Sequence, residues 1–133
     1  MMRILIADDE LSNRIIMKKI LAPYGECTLV ENGKEAVEIF KQALEDKVSF
    51  DLVCLDIMMP IVDGLLALQK IRTIEAWNGI SEENEVTIFI VTSVDTAETV
   101  LRAFMKGGCT DYINKPVSRE RIIQKLREHK IIP

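Results

Sequence analysis

The sequence predicts an α/β domain in which one open parallel sheet carries helices on both faces. Strand-like and helix-like segments alternate strictly along the chain, and nearly all connections between them are short. The strands are mostly continuous apolar runs, which is typical of strands buried on both faces. Because repeated βα units with short connections form parallel sheets, five such units predict a five-stranded sheet. All 133 residues are expected to form a single domain.

Each element is predicted from its own local pattern. Apolar residues spaced by three and four positions indicate amphipathic helices, Pro23 lies just beyond the first of them, and Asp63 and Gly64 open the third. The more polar second strand is expected at a sheet edge. The predicted strands are 3–7, 27–31, 51–55, 86–92 and 111–114, and the predicted helices are 11–22, 34–44, 64–76, 96–106 and 118–129.

The helix periodicity also predicts which side chains face the core, and one long loop interrupts the pattern. Residues 77–86 are polar and acidic, and Trp77 is expected to cap a pair of helices there. The predicted inward residues are Leu11, Ile15, Ile16, Ile20 and Leu21 in the first helix, Ala36, Phe40, Ala43 and Leu44 in the second, and Ile122, Ile123 and Leu126 in the last.

Composition and charge exclude several classes of protein. The hydrophobic fraction of 48% and charged fraction of 29% are those of a soluble globular protein. Three cysteines without a CxxC spacing argue against a disulfide framework or zinc site, and Cys54 is expected in the core. No apolar stretch approaches the ~18 residues of a membrane span, and no signal peptide is recognisable, so a cytoplasmic protein without membrane contact is expected. The formal net charge of −4 argues against direct binding of nucleic acid.

Polar side chains follow four of the five predicted strands. Asp8 and Asp9 follow the first, Asp56 the third, Thr92 ends the fourth and Lys115 follows the fifth. Ligands of open parallel sheets bind outside the carboxyl ends of the strands, so these five side chains are expected in one cleft.

The chemistry of this set favours phosphoryl transfer. Clustered carboxylates repel one another and require a cation, and an all-oxygen site is what Mg²⁺ prefers. An ammonium group from Lys115 and a hydroxyl from Thr92 add groups that stabilise a phosphoryl group. Asp56 is the preferred nucleophile, because it stands alone at the end of the most apolar strand.

Each of these residues also has a purely structural interpretation. Asp8 and Asp9 could be N-caps of the first helix, Asp56 a loop acid, Thr92 an ordinary strand residue and Lys115 a solubilising loop residue. His129 is interpreted as a solvated helix residue and not as a phosphate carrier.

Four motifs, in order and spacing, resemble the receiver domain of two-component response regulators. They are "ADDE", "LDIMMPIVDG", "IVTS" and "DYINKP", and the resemblance covers essentially the whole chain. It implies the flavodoxin-like fold of chemotaxis regulators, with strand order 2-1-3-4-5. It also implies that Asp56 is the phosphoacceptor and that Asp8, Asp9 and the Met58 carbonyl join Asp56 around Mg²⁺.

The resemblance implies further roles around that site. Thr92 and Lys115 would contact the phosphoryl group, and the Tyr112 rotamer would follow the position of Thr92. The Lys115–Pro116 peptide is expected to be cis. Val117 departs from the Phe that is common in the family, which puts local packing of the last helix in question.

The resemblance also implies a signalling function. A sensor histidine kinase or a phosphotransfer protein would donate the phosphoryl group in a Mg²⁺-dependent reaction that the receiver helps to catalyse, along with its later dephosphorylation. The phosphorylated protein would present an altered surface on the fourth helix, fifth strand and last helix to a downstream protein target that the sequence does not identify. Met58 and Val94 occupy two positions that tune the lifetime of the phosphorylated state in this family.

Two other classes share parts of this pattern. A flavodoxin-like cofactor carrier needs a phosphate-binding loop of backbone amides after the first strand, where Asp8, Asp9 and Glu10 would repel the phosphate. A haloacid-dehalogenase-like phosphatase also uses an aspartyl phosphate, but it resembles chains with two acids spaced two residues apart on the first strand. Bound flavin or turnover of general phosphate esters would favour these alternatives.

Overall fold

The computed structural model describes residues 1–133 and contains one five-stranded parallel sheet. The strands are β1 (Met2–Ala7), β2 (Gly25–Val30), β3 (Leu52–Leu55), β4 (Thr87–Thr92) and β5 (Asp111–Asn114), in the order β2-β1-β3-β4-β5. This order confirms the flavodoxin-like architecture, and the more polar β2 lies at an edge as predicted. β2 lies on one side of β1 and β3 on the other, so the strand order reverses at this point. Because β1 and β3 pair in parallel, their carboxyl ends lie beside each other.

Five helices cover the two faces of the sheet: α1 (Leu11–Leu21), α2 (Gly33–Glu45), α3 (Gly64–Trp77), α4 (Ala97–Arg102) and α5 (Arg119–Glu128). One apolar core lies under α2 and α3 and includes Phe40, Leu68 and Ile90. The other lies under α1 and α5 and includes Ile20 and Leu126. Both faces of the central strands are therefore buried, which explains their continuous apolar sequences.

The predicted helix over 96–106 is only partly α-helical. The α-helix ends at Arg102, and a π-helical turn covers Ala103–Gly107 before the left-handed Gly108. Gly107 packs so closely on Leu68 that a Cβ atom would lie 2.4 Å from its Cδ2. Apolar spacing over so short a segment does not distinguish a π turn from an α turn, so the sequence pattern did not predict it.

The prediction for the inward face of α1 was wrong in part. Leu11, Ile15 and Ile16 are exposed, whereas Arg14 and Met17 join Ile20 and Leu21 in the buried set. Positions 14, 17, 20 and 21 follow the three- and four-residue spacing of one helix face, and the arginine at the first of them is buried with polar partners.

Four smaller expectations also needed correction. Trp77 is the last residue of α3 and is 83% exposed, so it caps no helix pair. The 77–86 segment contains a 3₁₀ turn at Glu82–Asn84, and Ile123 is half-buried. His129 caps α5 in a half-buried position, with its ring 5.6 Å from that of Phe89.

By contrast, Cys54 lies in the core as predicted, and burial raises the pKa of its thiol to about 12. No helix meets the length and apolarity that crossing a membrane requires.

Candidate functional site

Three acids meet at the carboxyl ends of β1 and β3. The Asp8 amide donates to the Val30 carbonyl at 3.2 Å, and the Asp56 amide donates to the Ala7 carbonyl at 3.0 Å. These bonds continue the ladder just beyond the strands and fix the two backbones side by side. One carboxylate oxygen from each of Asp8, Asp9 and Asp56 lies within 4.8 Å of the others. The structure therefore brings together the acids that were predicted from separate strand ends.

Lys115 enters this cluster from the end of β5. Its amide donates to the Thr92 carbonyl at 2.9 Å, and its Nζ lies 2.7 Å from Asp8 Oδ2 and 2.9 Å from Asp56 Oδ2. Burial acts to lower the pKa of Lys115, but the hydrogen bonds and charges of the two carboxylates raise that pKa overall. Lys115 therefore remains an ammonium, and Lys115–Pro116 is a cis peptide as expected.

The remaining carboxylate oxygens differ in their partners. Asp8 Oδ1 accepts the Glu10 amide at 3.0 Å, and Asp56 Oδ1 accepts the Ile57 amide at 2.7 Å. Asp9 is exposed and makes no hydrogen bond or ion pair within the chain. Glu10, not Asp8 or Asp9, is the N-cap residue of α1, and it supplies no side-chain cap bond. The structural interpretation of the acid pair as helix caps is therefore wrong.

The loop after Asp56 passes close to that residue at Gly64. The Gly64 amide donates to the Ile57 carbonyl at 2.9 Å, and a Cβ atom on Gly64 would lie only 1.9 Å from the Asp56 carbonyl oxygen. Asp63 then caps α3 by accepting the Leu66 amide at 2.9 Å. Within the loop, the Met58 carbonyl accepts no hydrogen bond from the protein, and its side chain is 65% exposed. That carbonyl is free to act as a ligand.

Thr92 and Tyr112 lie on neighbouring strands, with Thr92 paired to Asn114 in the β4–β5 register. Thr92 is fully buried, and its Oγ1 accepts the Val94 amide at 3.3 Å. The Tyr112 ring is 8% exposed, and its hydroxyl donates to the Val94 carbonyl. The Tyr112 ring therefore lies inward, with its hydroxyl bonded to the backbone two residues after Thr92.

The donor set at this end of the sheet fits a hard divalent cation. It consists of carboxylate oxygens from Asp8, Asp9 and Asp56, with the free Met58 carbonyl nearby in sequence. Three carboxylates and the Lys115 ammonium leave a formal charge of −2, which a divalent ion would cancel. Oxygen ligands with few carboxylates and room for water are the ligands that Mg²⁺ prefers.

Sequence reasoning missed Arg14, which lies behind the acid pair. Its side chain is almost fully buried, with Nη1 2.7 Å from the Asp8 carbonyl oxygen and Nη2 3.2 Å from Glu31 Oε1. A second missed arginine, Arg72, donates to the Gly108 and Val86 carbonyls and pairs with buried Glu75. No sequence signal marked Arg14, because the apolar spacing of α1 favoured the face of Leu11 and Ile15 and an arginine is ordinarily expected at the surface.

A second group of charged side chains lies at the opposite end of β5. Asp111 Oδ2 is 2.7 Å from His129 Nε2 and 3.0 Å from Lys125 Nζ. Burial acts to raise the pKa of Asp111, but hydrogen bonds from His129, the Tyr112 amide and Lys125 lower it overall. The Lys125 ammonium already neutralises the charge of Asp111, so these contacts join β5 to the end of α5.

Residues 4–127 match the response regulator receiver domain family. The chain is 33% identical over 128 residues to chemotaxis protein CheY of Bacillus subtilis, and the alignment covers 95% of each protein. It is 30% identical to hybrid signal transduction histidine kinase I of Dictyostelium discoideum, where it covers 93% of this chain but 7% of the kinase. The chain is 32% identical to the sensory/regulatory protein RpfC of Xanthomonas campestris, and the alignment covers 96% of this chain but 16% of RpfC.

Solved structures give the same picture of the fold. The co-crystal structure of the Saccharomyces cerevisiae histidine phosphotransfer signalling protein Ypd1 with the receiver domain of its downstream response regulator Ssk1 contains a chain that matches with a TM-score of 0.81. That match has 28% identity and covers 96% of this chain and 87% of the other. The BeF3-activated DrrB receiver domain matches with a TM-score of 0.77 at 23% identity, covering 99% of each chain, which supports the fold alone.

Proposed function

This chain belongs to the response regulator receiver domain family, and from that premise we propose that it is phosphorylated on Asp56. Receiver domains pair with histidine kinases or phosphotransfer proteins, and such a protein is the proposed donor. Asp8 and Asp56 both contact Lys115 within the carboxylate cluster, and one observation carries the choice between them: Asp56 stands in the motif "LDIMMPIVDG", where the resemblance to receiver domains puts the phosphoacceptor. We treat residues 1–133 as one receiver unit in this reaction.

The proposed reaction transfers a phosphoryl group from nitrogen to oxygen. An Asp56 carboxylate oxygen bonds to phosphorus, the phosphorus–nitrogen bond of the phosphohistidine breaks, and the imidazole leaves and takes up a proton. Lys115, which already contacts Asp56, is placed to follow the phosphoryl oxygens and neutralise part of their charge. Mg²⁺ held by Asp8, Asp9, Asp56 and the Met58 carbonyl would neutralise more of that charge when bound.

The proposed switch involves the contacts between Thr92, Val94 and Tyr112. In the structure, the Thr92 hydroxyl and the Tyr112 hydroxyl both contact the backbone of Val94. A Thr92 hydroxyl that turned to a phosphoryl oxygen would release the Val94 amide and change the segment that leads into α4. The Tyr112 ring is buried and its hydroxyl bonds the Val94 carbonyl, so a change in this segment would also move the partner of that hydroxyl. The affected surface is α4, β5 and α5.

A protein donor fits the surface beside the acids. Leu11, Ile15 and Ile16 form an exposed apolar face on α1, which begins directly after the acid loop. A small cleft lies next to this face and is lined in part by Ile16, Lys115 and Val117. Val117 is smaller than the Phe expected from the resemblance, so it leaves more room in this cleft. Apolar side chains contiguous with a reactive group are typical of a protein-binding surface.

A small-molecule phosphodonor tests the acceptor without the need to identify a kinase. Acetyl phosphate with Mg²⁺ should add one phosphoryl group, detected by intact mass and placed at Asp56 by peptide mapping after borohydride trapping. Asp56→Asn should abolish the modification, whereas Asp51→Asn, at the opposite end of β3, should leave it unchanged. A stoichiometric phosphoryl group on another residue would contradict the proposal.

A further inference from the structure

Asp9 is the one acid of the cluster that no side chain holds in place. Asp8 and Asp56 both contact Lys115, and each also accepts a backbone amide. Asp9 is exposed and has no such partner. Within the chain, only the backbone conformation at Asp9 restricts the directions in which its carboxylate can point.

That backbone is held by Arg14. The carbonyl of Asp8 and the amide of Asp9 belong to the same planar peptide unit. Arg14 Nη1 lies 2.7 Å from this carbonyl oxygen, in a buried position just past the end of β1 where no strand partner takes the bond. A guanidinium that donates to the carbonyl fixes the plane of the peptide, and with it the starting direction of the Asp9 side chain.

Arg14 is in turn held from two sides. Arg14 lies on the buried face of α1, where it is 8% exposed. Its Nη2 atom pairs at 3.2 Å with Oε1 of Glu31, which follows β2. The guanidinium therefore connects α1, the β1 end and the β2 end through one rigid planar group. A lysine could reach one of these acceptors but could not reproduce the fork.

We propose that Arg14 is a positioning residue for the metal site, acting through the Asp8–Asp9 peptide to aim Asp9 at the cation. This inference rests on the proposed Mg²⁺ site. It makes a prediction with a sign opposite to that of simple electrostatics. Removing a positive charge close to a cation site should strengthen cation binding, whereas loss of positioning should weaken it.

The experiment is calorimetric titration of the full chain with MgCl2, with melting temperature recorded for every variant. Arg14→Met should weaken Mg²⁺ binding by about tenfold, the lower end of what supporting residues behind metal ligands contribute. Arg14→Lys should recover part of the affinity. Arg72→Met is the matched control, because Arg72 is another mostly buried arginine that donates to backbone carbonyls, but beside Gly108 and away from the acids.

The outcomes separate the two proposals. Weaker binding in Arg14→Met but not in Arg72→Met supports the inference, even if both variants melt at lower temperature. In an Asp9→Asn background, Arg14→Met should have little further effect, because the ligand that it positions is gone. Unchanged or tighter binding in Arg14→Met would overturn the inference and leave the metal site intact. Absence of Mg²⁺ binding in the wild type would overturn the metal site and the inference together.

Discussion

Replacing Asp9 with asparagine should stabilise the ion-free protein. The Asp9 carboxylate lies within 4.8 Å of those of Asp8 and Asp56 and has no compensating partner. Two unit charges at this distance repel by about 0.9 kcal/mol in a water-like medium, which is the appropriate limit for an exposed group. Asp8 is adjacent in sequence and repels Asp9 in the unfolded chain as well. The Lys115 ammonium that contacts Asp8 and Asp56 also attracts Asp9 and offsets part of the repulsion, so the net gain is at most about 1 kcal/mol, or about 3 to 5 °C in melting temperature for a chain of this length.

Mg²⁺ should reverse this order. A divalent ion about 4 Å from a carboxylate gains about 2 kcal/mol in a water-like medium, so loss of Asp9 should weaken its binding about 30-fold. At a concentration 100 times the wild-type Kd, Mg²⁺ stabilises the wild type by about 2.7 kcal/mol and the variant by about 0.9 kcal/mol. The variant's initial gain of at most about 1 kcal/mol does not compensate for that difference, so the wild type becomes the more stable protein.

Differential scanning calorimetry in EDTA and then in MgCl2 measures both effects in one experiment. Glu83→Gln is the control, because Glu83 is an exposed acid in the 3₁₀ turn after α3, and its removal should change neither value. The reasoning is refuted if Asp9→Asn melts below the wild type in EDTA, or if Mg²⁺ raises both melting temperatures equally.

Three further predictions concern lifetime, packing and pH. Met58 and Val94 are apolar and cannot orient an attacking water, so the double variant Met58→Asn with Val94→Glu should lose its phosphoryl group about tenfold faster than the wild type. If the radiolabelled phosphoryl group is lost from both proteins at the same rate, these positions do not control dephosphorylation. Gly64→Ala should lower the free energy of unfolding, measured by urea titration, by about 3 kcal/mol, because the new Cβ atom would lie 1.9 Å from the Asp56 carbonyl oxygen. A loss below about 1 kcal/mol would mean that the loop adjusts freely. In the folded protein the pKa of Asp111 is below its ordinary value of 3.8, so the ionised Asp111 stabilises the fold above that pH, and this stabilisation is lost as the pH falls through the lowered pKa. Asp111→Asn should therefore make the free energy of unfolding fall less steeply as the pH is lowered into the acid range. An unchanged pH dependence would contradict this.

The positions of the site residues were predictable from sequence because they depend on topology alone. In a parallel sheet, all carboxyl strand ends lie at one edge, so recognising the strands before Asp8, Asp56 and Lys115 was sufficient to predict that these residues meet. Strand boundaries that were wrong by one or two residues did not matter, because the polar residue itself ends the apolar run. The cap interpretation of Asp8 and Asp9 could be rejected only from the hydrogen bonds of Glu10 and α1.

Sequence by itself determined the order of the elements, the edge where the acids converge and the type of chemistry that they support. Those features follow from local apolar periodicity and from the fixed geometry of βα units. Only the tertiary structure decided the rotation of α1, the π turn against Leu68, the inward Tyr112 ring and the guanidinium behind Asp8. Each of these involves packing or hydrogen bonds between different elements of the fold, where burial or an unpaired backbone group outweighs the local pattern.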